Sequence, residues 1–140
     1  MNETNEFKPW VRSNWKGWSE AYEPRRGGGT GIADIQILMG DGRLVPIELK
    51  VGEVKQDVLW CKDVRPDQLG WHNRFQFHGG KSFFLVGCGS IKRLSIYAVK
   101  LQCMLDWKTG LGSGCKHEIN VNDFTLDLAL YINLHILREK

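Results

Sequence analysis

The stretch that decides the fold is residues 31–50, GIADIQILMGDGRLVPIELK. Two runs, 32–39 and 43–50, alternate as strands do and meet at the Gly-Asp-Gly of residues 40–42, a strong hairpin signal. Alternation places Val45, Ile47 and Leu49 on one face and Glu48 and Lys50 on the other. In the first strand, Asp34 and Gln36 oppose Ile35 and Ile37. Pairing across the hairpin therefore brings Asp34 beside Glu48 and Lys50. Charged side chains inside an apolar pattern need a partner, a metal or a chemical purpose.

Downstream, residues 51–64 read as a loop with a short strand of its own. Residues 65–80, RPDQLGWHNRFQFHGG, read as a helix with Pro66 near its start and Gly79-Gly80 as its stop. KSFFLVGCG and LSIYAVK supply two further strands, so a helix crosses between two strand pairs. That predicts an α/β fold with a mixed central sheet of at least four strands flanked by helices. At 140 residues, without repeat or low-complexity block, the chain fits a single domain.

Both ends are less regular. Residues 11–23, VRSNWKGWSEAYE, suggest a short helix weakened by Gly17. PRRGGGTG follows, readable as a plain loop or as a phosphate contact through Arg25, Arg26 and backbone amides. In the tail, residues 123–138, apolar residues fall on alternate positions. Length, Leu and Ala content and the Asn122-Asp123 start favour a helix. Such a helix carries two apolar stripes, Phe124, Leu128 and Tyr131 on one side and Leu126, Leu130 and Leu137 on another. A second stripe calls for a second cover, either the Trp-rich N-terminal segment or another copy of the chain.

Nineteen Lys and Arg against sixteen Asp and Glu leave a charge of +3, compatible with nucleic acid but uninformative alone. The distribution is more pointed, with Arg25 and Arg26 before the hairpin and Lys55, Lys62, Arg65 and Arg74 after it. No signal-peptide pattern or membrane-length apolar run is visible. The four cysteines form no CxxC, which reads as a reduced, cytoplasmic protein. Cys115 and His117 lack a second ligand pair for zinc. His72 on the helix reads as structural more readily than as a phosphate ligand.

Phosphodiester hydrolysis by metal needs hard oxygen ligands, an activated water and a cation near the developing charge. Asp34, Glu48 and the Leu49 carbonyl suit Mg²⁺, which takes one or two carboxylates and keeps several waters. Lys50 lies on the Glu48 face, and Gln68 near the helix start can hold Lys50 or the water. An ordinary hairpin with a surface Glu–Lys pair is the bland alternative.

The succession Gly-x-x-Asp, Gly-Asp-Gly, Glu-x-Lys and Pro-Asp-Gln-x-x-Trp, covering residues 31–87, resembles the PD-(D/E)XK nuclease superfamily. It is most similar to the viral-type replication–repair nuclease (VRR-NUC) branch and to phage or bacterial Holliday-junction resolvases. The resemblance implies a restriction-endonuclease-like core and Mg²⁺, or Mn²⁺ in its place, on Asp34 and Glu48. It implies Lys50 and Gln68 as further catalytic residues, and an added acidic ligand on an N-terminal helix, Glu20 first and Glu23 second. Ala33 stands where the family usually has Pro, which is not a ligand. The implied activity is Mg²⁺-dependent cleavage of branched DNA by a homodimer. A nuclease of plain duplex or single strands, or a non-cleaving DNA-binding module, are the rivals.

Overall fold

In a computed structural model of the chain, residues 1–22 and 33–138 are described. Seven strands form one mixed sheet: β1 (Ser19–Ala21), β2 (Ile35–Leu38), β3 (Leu44–Lys55), β4 (Val58–Cys61), β5 (Phe83–Ser90), β6 (Arg93–Val99) and β7 (His117–Ile119). Their order is β1-β2-β3-β5-β6-β7, with β4 also paired to β3. Only β3 and β5 run parallel; the other pairs are antiparallel. The helix α2 (Pro66–Phe77) makes the crossover to β5, with β4 lying between β3 and that helix in sequence.

The predicted hairpin forms with Ile35 opposite Ile47 and Ile37 opposite Val45. All four, with Leu49, are fully buried in one core on that face. Slipping the register by one residue would turn Ile35 and Ile37 out of it, and burying each such side chain is worth about 1.5–3 kcal/mol. Apolar burial thus fixes the alignment that brings Asp34 opposite Glu48. β3 is buried on both faces from Val45 to Lys50, which explains why its polar residues lie inside rather than on the surface.

The expected loop at 51–64 is corrected. β3 continues to Lys55, turns at Gln56-Asp57 and returns as β4. Gln56 and Asp57 both have positive φ, 52° and 63°, as tight hairpins with right-handed strand twist require. The turn lacks the Asn-Gly or Asp-Gly signature, so its sequence concealed it.

The N-terminal helix is also relocated. It begins with a wide turn, Glu3–Phe7, and continues as α1, Lys8–Asn14. Asn2 accepts the Asn5 N–H at 2.7 Å, and Glu6 accepts the Asn2 N–H at 2.7 Å, closing the end reciprocally. Phe7 and Val11 form its buried stripe. A Cβ on Gly87 would lie 2.7 Å from the Phe7 ring, so the bare backbone of β5 makes room for this helix. Residues 19–21, expected to be helical, instead form the edge strand β1.

One sheet face packs this helix and the C-terminal α4 (Phe124–Tyr131), which runs on through a wider turn at Ile132–Leu137. The other packs α2 and the short α3 (Leu101–Met104). The tail is therefore helical, as favoured. Phe124, Leu128 and Tyr131 face inward; of the expected second stripe Leu126 and Leu130 stay exposed, Leu137 instead packs against the core, and Leu134 is exposed in its place. The N-terminal segment does pack on this helix, Trp10 meeting Phe124 edge-on at 5.0 Å, but on the inward side. Cys103 and Cys115 form a disulfide with Cα atoms 5.5 Å apart, which corrects the all-reduced reading. They stand twelve positions apart in sequence, so only the fold reveals their proximity. Cys61 and Cys88 are free and buried. Among the described residues, no helix is long and apolar enough to cross a membrane.

Candidate active site

β3 presents one edge to two partners in turn. β2 pairs with residues 44–47 and β4 with residues 52–55, while β5 occupies the opposite edge from Ile47 to Gly52. Residues 48–51 therefore face a gap between β2 and β4. The Leu49 N–H in this gap donates to Asp34 Oδ2 at 2.9 Å, and the Val51 carbonyl accepts the Lys62 N–H at 3.1 Å. A strand residue points its N–H and C=O to the same edge, so the Leu49 carbonyl opens toward Asp34 as well. An interrupted sheet edge is what exposes main chain here.

Glu48 is fully buried behind that gap and is held from α2. Gln68 Nε2 lies 3.5 Å from Glu48 Oε2, and His72 Nε2 lies 3.4 Å from Oε1. Gln68 therefore holds Glu48 and not Lys50, contrary to the expectation for its amide. Its Oε1 accepts the Arg65 N–H at 3.1 Å, so the same side chain closes the helix N-terminus. His72 contacts Ser82 Oγ at 2.7 Å through its other nitrogen. Reading His72 as structural missed its contact with Glu48. The signal lay in its spacing, one helical turn beyond Gln68.

Lys50 is almost fully buried. Its ammonium donates to the Asp63 carbonyl at 3.0 Å and lies 3.9 Å from Glu3 Oε1. Asp63 adopts φ 54°, a left-handed conformation that Asp tolerates better than most residues. The acidic side chain that the N-terminal helix brings to the site is thus Glu3. Glu20 lies exposed on β1, opposite Gln36, and Glu23 falls outside the described residues. The missed signal was the Asn2–Glu6 cap followed by Phe7 and Val11 at helical spacing.

Burial is the main reason the Glu48 carboxyl is raised to about 10; its hydrogen bond to Asp34 and that charge add to the effect, and Lys50 opposes it. Burial likewise lowers His72 to about 4. The His72–Glu48 contact is accordingly a neutral hydrogen bond near pH 7, with Glu48 giving its proton toward Asp34. Burial also lifts Glu3 to about 6, against the pull of Lys50.

The Asp34 and Glu48 carboxyls, beside an outward carbonyl, form an all-oxygen donor set in which a cation can take the place of the Glu48 proton. This fits Mg²⁺ or Mn²⁺, which need few protein ligands. Among the described residues, no group of three or more His, Cys, Asp or Glu side chains is gathered to hold a metal, so a multi-residue cage is not offered. Cys115 is taken up in its disulfide and leaves His117 without the suggested zinc partner.

A cleft of about 420 Å³ leads to Asp34 and Leu49 between the N-terminal helix and the sheet, with Glu3, Lys8 and Arg12 on its walls. Lys8 and Arg12 were not singled out from sequence. Of the expected DNA contacts, Lys55, Lys62, Arg65 and Arg74 are all exposed. Lys55 pairs with Glu53 at 3.2 Å on the hairpin arm, and Arg65 with Asp67 at 3.6 Å at the start of α2. Arg25 and Arg26 lie outside the described residues.

No protein-family model matches the sequence, and no curated protein does. Among solved structures, the chain is similar to Hjc, a Holliday junction resolvase of the archaeal hyperthermophile Archaeoglobus fulgidus. The match covers 91% of this chain and 97% of that one, with a TM-score of 0.50 and 16% sequence identity. At that identity the likeness concerns the fold. The chain has a restriction-endonuclease-like architecture, a mixed α/β core with a seven-stranded sheet flanked by helices.

Proposed function

We propose that this protein is a Mg²⁺-dependent endonuclease that hydrolyses phosphodiester bonds in branched DNA. The observation that carries the reading is the meeting of the Asp34 and Glu48 carboxyls at the gap beside β3, with Lys50 two residues along the same strand. Asp34, Glu48 and the Leu49 carbonyl would hold the cation. When bound, it polarises the scissile phosphate and makes its water a nucleophile near neutral pH.

The remaining chemistry belongs to the chain. Lys50, steadied by the Asp63 carbonyl and Glu3, places a fixed positive charge where negative charge grows on the phosphate. Gln68 and His72 hold Glu48 from behind. Lys8 and Arg12 line the approach to Asp34 and suit the flanking phosphates, as do Arg25, Arg26, Lys55, Lys62, Arg65 and Arg74. Phosphate contacts of this kind position the duplex without reading sequence.

The preference for branched DNA rests on the fold likeness to a Holliday junction resolvase and on the sequence resemblance to that group. Symmetric cutting of a four-way junction calls for two sites, and the exposed Leu126, Leu130 and Leu134 offer a face through which a homodimer can form. The test is cleavage of a four-way junction against matched linear duplex and single strand, with Mg²⁺ and with EDTA. Junction-selective nicking with Mg²⁺ supports the reading. Equal cutting of linear DNA favours a general nuclease, and binding without cutting in any divalent cation favours a non-cleaving module.

A further inference from the structure

We propose that Gln76, Ser82 and His72 form a one-way hydrogen-bond chain that makes His72 a positioning residue for the Glu48 carboxylate. This rests on the reading of Glu48 as a metal ligand. The chain starts from a group whose role is fixed. The Ser82 backbone carbonyl can only accept, and Gln76 Nε2 lies 2.9 Å from it, which identifies the amide nitrogen of Gln76. That nitrogen is also 3.1 Å from Ser82 Oγ, which accepts its other proton. With one lone pair so engaged, Ser82 Oγ has a single proton to give, and the proposal assigns it to His72 Nδ1, 2.7 Å away. With Nδ1 accepting, the ring proton of neutral His72 resides on Nε2 and donates to Glu48 Oε1.

Gln68 repeats the logic on the other carboxylate oxygen. The Arg65 N–H can only donate, so it fixes Gln68 Oε1 as acceptor and turns Nε2 toward Glu48 Oε2. Two backbone groups thus fix the amide orientation of both glutamines. Glu48 receives one N–H on each oxygen from α2, which leaves its remaining lone pairs for the side of Asp34. His72 and Ser82 are both buried, so water does not compete for these bonds. Outer partners that orient a metal-binding carboxylate commonly change metal affinity by about 10–100-fold when removed.

The experiment combines calorimetric titration of Mn²⁺ into the full chain with ¹⁵N NMR of the His72 ring, the latter on the metal-free protein. The inference expects a protonated Nε2 and an unprotonated Nδ1. It expects His72→Leu to weaken Mn²⁺ binding by about 10-fold or more, and His72→Gln, which restores an N–H near the Nε2 position, to recover binding to within about 3-fold of wild type by the same scale. Adding Ser82→Ala to His72→Gln should change Mn²⁺ affinity no further, because no ring tautomer remains to be steered. A proton on Nδ1 overturns the inference whether or not His72→Leu folds. Equal Mn²⁺ affinity in wild type and His72→Leu overturns it as well. Failure of the wild-type chain to bind Mn²⁺ overturns the nuclease reading itself, and is seen before any substitution is made.

Discussion

The backbone N–H of Leu49 donates to the carboxylate of Asp34 across 2.9 Å, so the acidic residue at the end of one strand caps the open edge of the next. Asp34 is thereby committed on Oδ2 and points its charge at the gap where Glu48 arrives from inside the sheet. The site is a consequence of unequal strand lengths, since β3 runs on after β2 ends.

Lys50 is expected to act in the chemical step more than in binding. It is one cation among many for DNA affinity, yet among the described residues it is the one buried beside the carboxyl pair. Lys50→Ala should lower the single-turnover rate by about 100-fold or more, the scale of losing one preorganised electrostatic contact. The junction Kd should change little. A full rate with weakened binding would make it a simple phosphate contact.

The cation-free fold should lose stability as pH rises. Glu48 has a folded pKa of about 10 against an ordinary 4.5. Its contribution is complete below about 4.5 and is lost progressively as pH climbs toward 10. Between pH 7 and 9, Tm in EDTA should fall. Glu48→Gln should raise Tm at pH 9 by at least about 3 °C and flatten that decline. Calorimetry at pH 7, 8 and 9 checks both.

Added Mg²⁺ should act in the opposite sense. Binding releases the Glu48 proton, so stabilisation by Mg²⁺ grows with pH over the same window. Glu48→Gln should abolish that growth. A pH-independent Tm increment would place the cation elsewhere.

DNA binding should weaken steeply with salt, because each neutralised phosphate contributes about 0.9 to the logarithmic slope. Replacing Arg12, Arg25 and Arg26 together by Ala should flatten the slope by up to about 3 by the same relation. An identical slope in the triple mutant would remove these residues from the interface.

Light scattering tests the assembly. A homodimer is expected, and Leu126→Lys with Leu130→Lys should dissociate it, because the two charges fall on the exposed face while the inward stripe of α4 is untouched. A monomer with and without junction DNA, still making paired cuts, would contradict this arrangement.

The hairpin, the crossover helix and the tail helix were legible because each carries a local signal: alternation with a glycine turn, Pro66 with Gly79-Gly80, and a long Leu-rich run. The convergence of Asp34, Glu48 and Lys50 followed from alternation and register alone. The β3–β4 arm was hidden by a turn of Gln and Asp residues that carry positive φ without glycine. Glu3 was hidden because the helical signal reads most strongly at residues 11–23, whereas the helix spans Glu3–Asn14 with Phe7 and Val11 as its buried stripe. His72 and the Cys103–Cys115 bond depend on contacts across 24 and 12 positions of sequence, which no local pattern encodes.

The most direct measurement is single-turnover cleavage of a four-way junction, in Mg²⁺, by wild type, Asp34→Asn and Glu48→Gln, with junction affinity measured alongside. The account predicts metal-dependent cutting by wild type and a loss of about 100-fold or more in each variant, with affinity largely kept. Full Mg²⁺-dependent cleavage by either variant would contradict it.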